Sequence, residues 1–126
     1  MSENQIDPVI LNEFIGEQLS FEQKLFEKLV SLLSDQFREF DQLNYAGAPA
    51  VLEKLGQAAH KLKSGCRSFG AMQLALSLES LEASAKKGEA ENVEQKFKAV
   101  KLSLPIVIAE IEMQAKQIFA RQKSAA

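Results

Sequence analysis

A single histidine, His60, and a single cysteine, Cys66, are the soft nucleophiles of this 126-residue chain. Both fall in a run whose apolar residues, Leu52, Leu55, Ala59, Leu62, Cys66 and Phe69, recur every three or four positions, the spacing of a helix with one buried face. At about 100° per residue, His60 points roughly 130° from the centre of that stripe, out toward solvent. Gly56 and Gln57 stand one turn before it, Lys63 and Ser64 one turn after, and Arg67 two turns after. Gly56 inside a helix costs about 1 kcal/mol relative to Ala. Removing bulk beside the imidazole is the expected return, and Ser64-Gly65 adds a second small stretch. Lys63, at i+3, can bring an ammonium to anything attached to the ring. A solvated imidazole is largely neutral at neutral pH and needs no general base to act as a nucleophile. The chemistry these residues suit is that of an accessible nucleophile with a cationic helper, while Cys66 in the stripe reads as a small buried hydrophobe.

The elements that position these residues are all helical. A first short helix is expected from Asp7-Pro8, a capping residue followed by the proline that suits the first helical position, carrying Ile10, Leu11, Phe14 and Ile15 and stopping near Gly16. Ser20-Phe21-Glu22-Gln23 reads as a capping box opening a second helix, with core face Leu25, Leu29, Leu32, Leu33, Phe37 and Phe40, fading near Leu43. A turn is expected at Asn44-Tyr45-Ala46-Gly47, and Pro49 starts the helix that holds His60. The next helix carries Ala71, Leu74, Leu78, Leu81 and Ala85 and closes on Gly88. Glu79, Glu82 and Lys86 fall along one flank of it, with Glu82 and Lys86 spaced as an ordinary i,i+4 pair. A last segment from about Glu89 carries Val93, Phe97, Val100, Leu104, Val107, Ile111 and Ile118. Pro105 predicts a kink there, or a split into two helices, because it lacks a donor for the Lys101 carbonyl. The expected architecture is all-α: an antiparallel up-down-up-down four-helix bundle with a short N-terminal capping helix. One domain spans 1–126, with its core at about 7–118 and the tail from Arg121 frayed.

Composition narrows the class further. A formal charge of −2 with 25% charged residues argues against a polyanion binder. No apolar run approaches the roughly 20 residues of a membrane span, and MSENQIDPV has neither a basic patch nor an apolar signal core. One cysteine excludes an internal disulfide, and one histidine disfavours the usual His-rich metal sites, so a cytoplasmic, metal-free domain is expected.

The run Ala59-His60-Lys61-Leu62-Lys63-Ser64-Gly65-Cys66-Arg67-Ser68-Phe69-Gly70-Ala71 resembles the signature of histidine-containing phosphotransfer (HPt) domains, alanine-histidine-x-leucine-lysine followed by small residues, a hydrophobic residue and glycine. Leu74, Leu78 and Leu81-Glu82 are similar to that family's next helix, and the likeness covers about residues 7–115. The resemblance implies a phosphocarrier: His60 accepts a phosphoryl group from an aspartyl-phosphate on one receiver domain and passes it to another, in a phosphorelay fed by a hybrid sensor kinase. It gives Lys63 the role of steadying the phosphoryl oxygens and Gly70 that of letting the next helix start close by. Ser64 stands where glycine is commonest and Glu82 where some members have glutamine. If Glu82 reaches Nδ1–H, it fixes the tautomer and leaves Nε2 as nucleophile. Arg67 and Lys61 are candidates for meeting an acidic receiver, Lys61 pointing away from the His60 side, and Gln57 and Lys61 are candidates for the docking surface. Ile10 and Phe14 of the short first helix are candidates for its apolar docking surface.

No phosphate-cradling glycine loop and no aspartate cluster occurs, so no ATP site, self-phosphorylation or cofactor is expected, and Mg²⁺ should arrive with the receiver. The chain reads as a stand-alone monomer. The alternative is a helical adaptor that binds receiver or kinase domains without carrying phosphate. A further alternative is an oligomerising bundle, joined through Val107, Ile111 and Ile118 of the long last helix.

Overall fold

The computed structural model describes residues 6–43 and 49–125, which form a helical bundle. Its elements are α1 (Pro8–Glu13), a single π turn (Phe14–Gln18) that prolongs it, α2 (Gln23–Asp41), α3 (Pro49–Ser68), α4 (Met72–Lys87) and α5 (Ala90–Ala125). The expected turn at Asn44-Tyr45-Ala46-Gly47 lies outside the described residues.

Asp7 caps α1 as its sequence indicates. Its carboxylate accepts from the amide of Val9 at 3.0 Å and of Ile10 at 3.5 Å, and Pro8 fills the first turn, where no donor is needed. The segment is held at both sides: the Asp7 amide donates to Gly70 O at 2.9 Å, and Gln114 Nε2 donates to Ile6 O at 3.5 Å. Ile6, Leu11 and Ile15 are fully buried beneath it. Beside this end of the bundle, edge-to-face ring contacts run from Phe14 to Phe69, Phe69 to Phe26 and Phe26 to Phe119, with centroids 5.2, 5.7 and 5.6 Å apart.

The capping box at Ser20 does not form. Ser20 and Phe21 both adopt left-handed backbone, φ 51° and 57°, to reverse the chain after the π turn, whereas a capping serine needs extended backbone. The helix starts instead at Gln23, with Glu22 as an N-cap whose side chain makes no capping bond. The buried face of α2 also differs from the expected one. Phe26, Val30, Leu33, Phe37 and Phe40 face the core, Leu29 is half-buried, and Leu25 and Leu32 are 42% and 54% exposed. Two interleaved stripes with 3/4 spacing compete on this helix. The one richer in phenylalanine buries more apolar surface, at roughly 25 cal/mol per Å².

α3 and α4 bury the stripes expected of them, although Leu52 is only half-buried, and α4 closes on Gly88 in the left-handed conformation, φ 72°. Cys66 is buried, and burial pushes its thiol up to about 12. Pro105 does not divide the last segment: α5 runs as one helix through it to Ala125, so the split is not found. Val100, Leu104, Val107 and Ile111 continue a single buried stripe across the proline, which itself faces solvent. That packing outweighs the missing hydrogen bond to Lys101 O. Val107, Ile111 and Ile118, the residues of the oligomerising alternative, are inside this same core. Among the described residues no helix is long and apolar enough to cross a membrane.

Candidate functional site

α3 and α4 pack along their lengths, with His60 facing Glu82 and Arg67 facing Glu79, so the two helices run in opposite directions. Their closeness comes from small residues at the seam. A Cβ on Gly56 would lie 3.3 Å from Ala85 Cβ, and Gly56 is buried. The same residue lines the open groove beside His60, and its missing side chain lets α4 approach. Gly65 does the same toward α2, where an added Cβ would meet Leu33 Cδ1 at 2.9 Å. Gly70, at φ 84°, turns the chain between α3 and α4 in a conformation other residues rarely adopt, and an added Cβ there would lie 2.8 Å from Asp7 O.

On this scaffold the His60 side chain is 67% exposed, and its Nδ1 lies 2.9 Å from Glu82 Oε2. Lys63 Nζ donates to Glu82 Oε1 at 3.0 Å, and Lys86 Nζ lies 3.2 Å from Oε2. Glu82 itself is 7% exposed, so one buried carboxylate collects three nitrogen donors. Burial alone would raise its carboxyl. The hydrogen bonds from Lys63 and Lys86, together with the charges of Lys63 and His60, outweigh that and hold it below the usual glutamate value. The group is therefore ionised at neutral pH, and an ionised carboxylate only accepts. Nδ1 is then the protonated nitrogen of the neutral ring, and Nε2 keeps a free lone pair.

The surroundings divide into two sides. Toward α4, an open groove of about 700 Å³ runs beside His60, lined by Leu52, Gly56, Gln57, Ala85, Lys86 and Gly88 among others. Toward α2, a smaller groove of about 240 Å³ is lined by Phe14, Leu29, Leu32, Lys61, Ser64 and Phe69 among others. Gln57, Lys61 and Ser64 are exposed, Ser64 accepting from Ser68 Oγ through its carbonyl at 3.2 Å. Arg67 lies on the α4 side, 3.5 Å from Glu79, both partly exposed. Ile10 and Phe14 are half-buried. Phe14 meets Phe69 edge to face, and the Cβ of Ile10 would lie 3.4 Å from a side chain at Gly70.

The structure thus brings His60, Lys63 and Glu82 together, with Arg67 one turn along. It places Lys61, Ser64 and Phe14 on the opposite flank of α3. Two features escaped the sequence reading. Leu29 and Leu32, which the stripe of α2 predicts in the core, line the α2-side groove. Lys86 is not only the i,i+4 partner of Glu82 but shares the oxygen that holds the imidazole. A signal for the second existed: Ala75, Leu78, Glu82 and Ala85 follow 3/4 spacing, which sets a carboxylate in an apolar seam and demands buried partners for it. Among the described residues no group of three or more His, Cys, Asp or Glu side chains could hold a metal ion.

In comparisons with known proteins, the family model of the Hpt domain matches residues 21–118. No curated protein and no solved structure matches the chain.

Proposed function

Because the chain belongs to the Hpt domain family, whose members are phosphocarrier modules of two-component signalling, we propose that it is a phosphorelay intermediate that carries its phosphoryl group on His60 Nε2. In this reading the lone pair of Nε2 attacks the phosphorus of a receiver's aspartyl-phosphate in line. The P–O bond to the aspartyl group breaks, and the carboxylate leaves with the bonding pair. The ring becomes cationic while Nδ1 keeps its proton, and Glu82 compensates that charge. Lys63, next to Glu82, is placed to turn its ammonium to the phosphoryl oxygens. Transfer to a second receiver reverses these events. Mg²⁺ and the acidic site come with the receiver, and no autokinase step is assigned to this chain.

The finer arrangement we assign is one domain over 1–126, an antiparallel up-down-up-down four-helix bundle capped by α1, acting as a cytoplasmic monomer. Receivers dock over the α2-side groove, where Phe14, Leu29 and Leu32 offer apolar contact beside Lys61 and Ser64, with Gln57 and Ile10 toward its edges. A hybrid sensor kinase supplies the phosphoryl group upstream.

The observation that carries this reading is the exposed imidazole whose Nδ1 is bonded to an ionised, buried carboxylate. Incubation with a phosphorylated receiver should label the wild type and leave His60→Gln unlabelled, and the label should be acid-labile and alkali-stable, as a phosphoramidate is. Equal labelling of His60→Gln would refute the acceptor role. Receiver binding that survives His60→Ala with no transfer at any time would support the adaptor instead.

A further inference from the structure

A carboxylate against Nδ1 has two opposed effects on a nucleophilic imidazole. It fixes the useful tautomer, and it favours the imidazolium form, which has no lone pair to attack with. The charge around Glu82 bears on which effect wins. Its facing groups are His60 and Lys63 from α3 and Lys86 from its own helix. Glu53 and Lys87 line the adjoining groove, and Arg67 pairs with Glu79 one turn away. From α5, Lys96 is engaged with Ser80 O and Ser84 Oγ, at 3.5 and 2.7 Å. Two lysines therefore stand on one carboxylate, leaving the trio with a net positive charge when the ring is neutral. Lys63 lies on Oε1, while Lys86 lies on Oε2, the same oxygen that meets Nδ1. Sharing that atom keeps the Lys86 ammonium within about 6 Å of Nδ1, near enough for repulsion of an imidazolium even in a wet site.

We propose that Lys86 is a positioning residue of the His60 site: by sharing Glu82 Oε2 with the ring, it lets the carboxylate orient the imidazole without trapping it as the non-nucleophilic cation. Its kinetic consequence rests on His60 being the phosphoryl acceptor; its effect on the protonation of the ring does not.

Two readouts separate these. The first is the pH profile of His60 phosphorylation by phosphoramidate, in which Nε2 takes the phosphoryl group, the P–N bond of the donor breaks and ammonia leaves. The second is the imidazole ¹⁵N NMR spectrum followed across the same pH range without any donor. Lys86→Met should move the acid limb of the rate profile, and the NMR transition with it, to higher pH by about half a unit. That shift corresponds to roughly threefold less neutral ring on the acid side. Lys86→Arg should retain the wild-type profile. Lys87→Met, which removes the same charge one residue away from the pair, should leave it within about 0.1 unit. In a Glu82→Gln background Lys86→Met should add nothing, because the tether is gone. An unshifted Lys86→Met profile and spectrum, or an equal shift in Lys87→Met, overturns the proposal. A shifted NMR transition in a protein that accepts no phosphoryl group sustains it and refutes the acceptor reading.

Discussion

Glu82→Gln is the substitution that separates a carboxylate at this site from any group of the same shape. Lys63 and Lys86 can only donate hydrogen bonds, and Glu82 meets Lys63 with Oε1 and both Lys86 and His60 Nδ1 with Oε2. A glutamine has one accepting oxygen. If Lys63, whose side chain is 14% exposed, claims it, the amide NH₂ is left facing Nδ1. A donor there requires Nδ1 to be the bare nitrogen, which sends the proton to Nε2 and removes the nucleophilic lone pair. A hydrogen bond to a charged acceptor is worth about 1.5–3 kcal/mol, so the Nε2–lone-pair tautomer should lose a factor of about 10 to about 100. Phosphoryl acceptance from a phosphorylated receiver should fall at least about tenfold, and the ring ¹⁵N spectrum should show the tautomers exchanged. Stability should fall by about 1–2 kcal/mol, nearly all from the part-buried Lys63 pair, since the exposed Lys86 pair contributes only tenths. The pH dependence has a definite sign. A carboxyl held below its ordinary value of 4.5 in the folded state contributes stability that is full above that pH and lost as the pH falls through the folded value. Urea unfolding should therefore show a wild-type advantage over Glu82→Gln that is constant from neutrality to about pH 5 and shrinks in more acidic solution. An unchanged tautomer together with transfer within twofold of wild type would refute the role given to the carboxylate.

Two further substitutions test the scaffold. Gly70→Ala combines an unfavourable φ with a Cβ 2.8 Å from Asp7 O, and strains the Asp7 amide bond to Gly70 O; it should cost about 2–4 kcal/mol in urea unfolding and speed amide exchange in α1. Pro105→Ala restores a donor to the Lys101 carbonyl at a solvent-facing position of α5, so it should stabilise by about 1–3 kcal/mol in the same assay, and a loss of stability would show that α5 relies on the proline.

Helix content, the stripes of α3, α4 and α5, the Asp7 cap and the Gly88 stop were legible because each rests on short-range chemistry or on one uncontested period. α2 was not. Leu25, Leu29 and Leu32 keep the same rhythm as Phe26, Val30 and Leu33, and only the tertiary partners, Phe69 and Phe119 for Phe26 and Phe97 for Phe40, decide which set turns inward. The start of α2 failed for a related reason. Ser20 carries a capping side chain, but the preceding π turn forces left-handed backbone at Ser20 and Phe21, and that turn has no marker in the sequence. Of the two outcomes expected at Pro105, the split failed in the opposite direction, since a local rule against proline ignores a core that continues on both sides of it.

At the site, the wheel placed His60 in solvent correctly, but it treated one helix alone and so could not place Gly56. Whether a glycine beside an imidazole makes room for a visitor or for the neighbouring helix depends on what stands across the seam, and here Ala85 stands there. The consequence reaches the chemistry. With Gly56 against Ala85, α4 lies close enough for Glu82, one turn before Ala85, to meet Nδ1 at 2.9 Å while staying buried. A larger residue at 56 would move α4 outward and lengthen that bond first. Gly56 thus serves the tautomer as well as lining the groove beside the ring, and His60 itself points outward from α3.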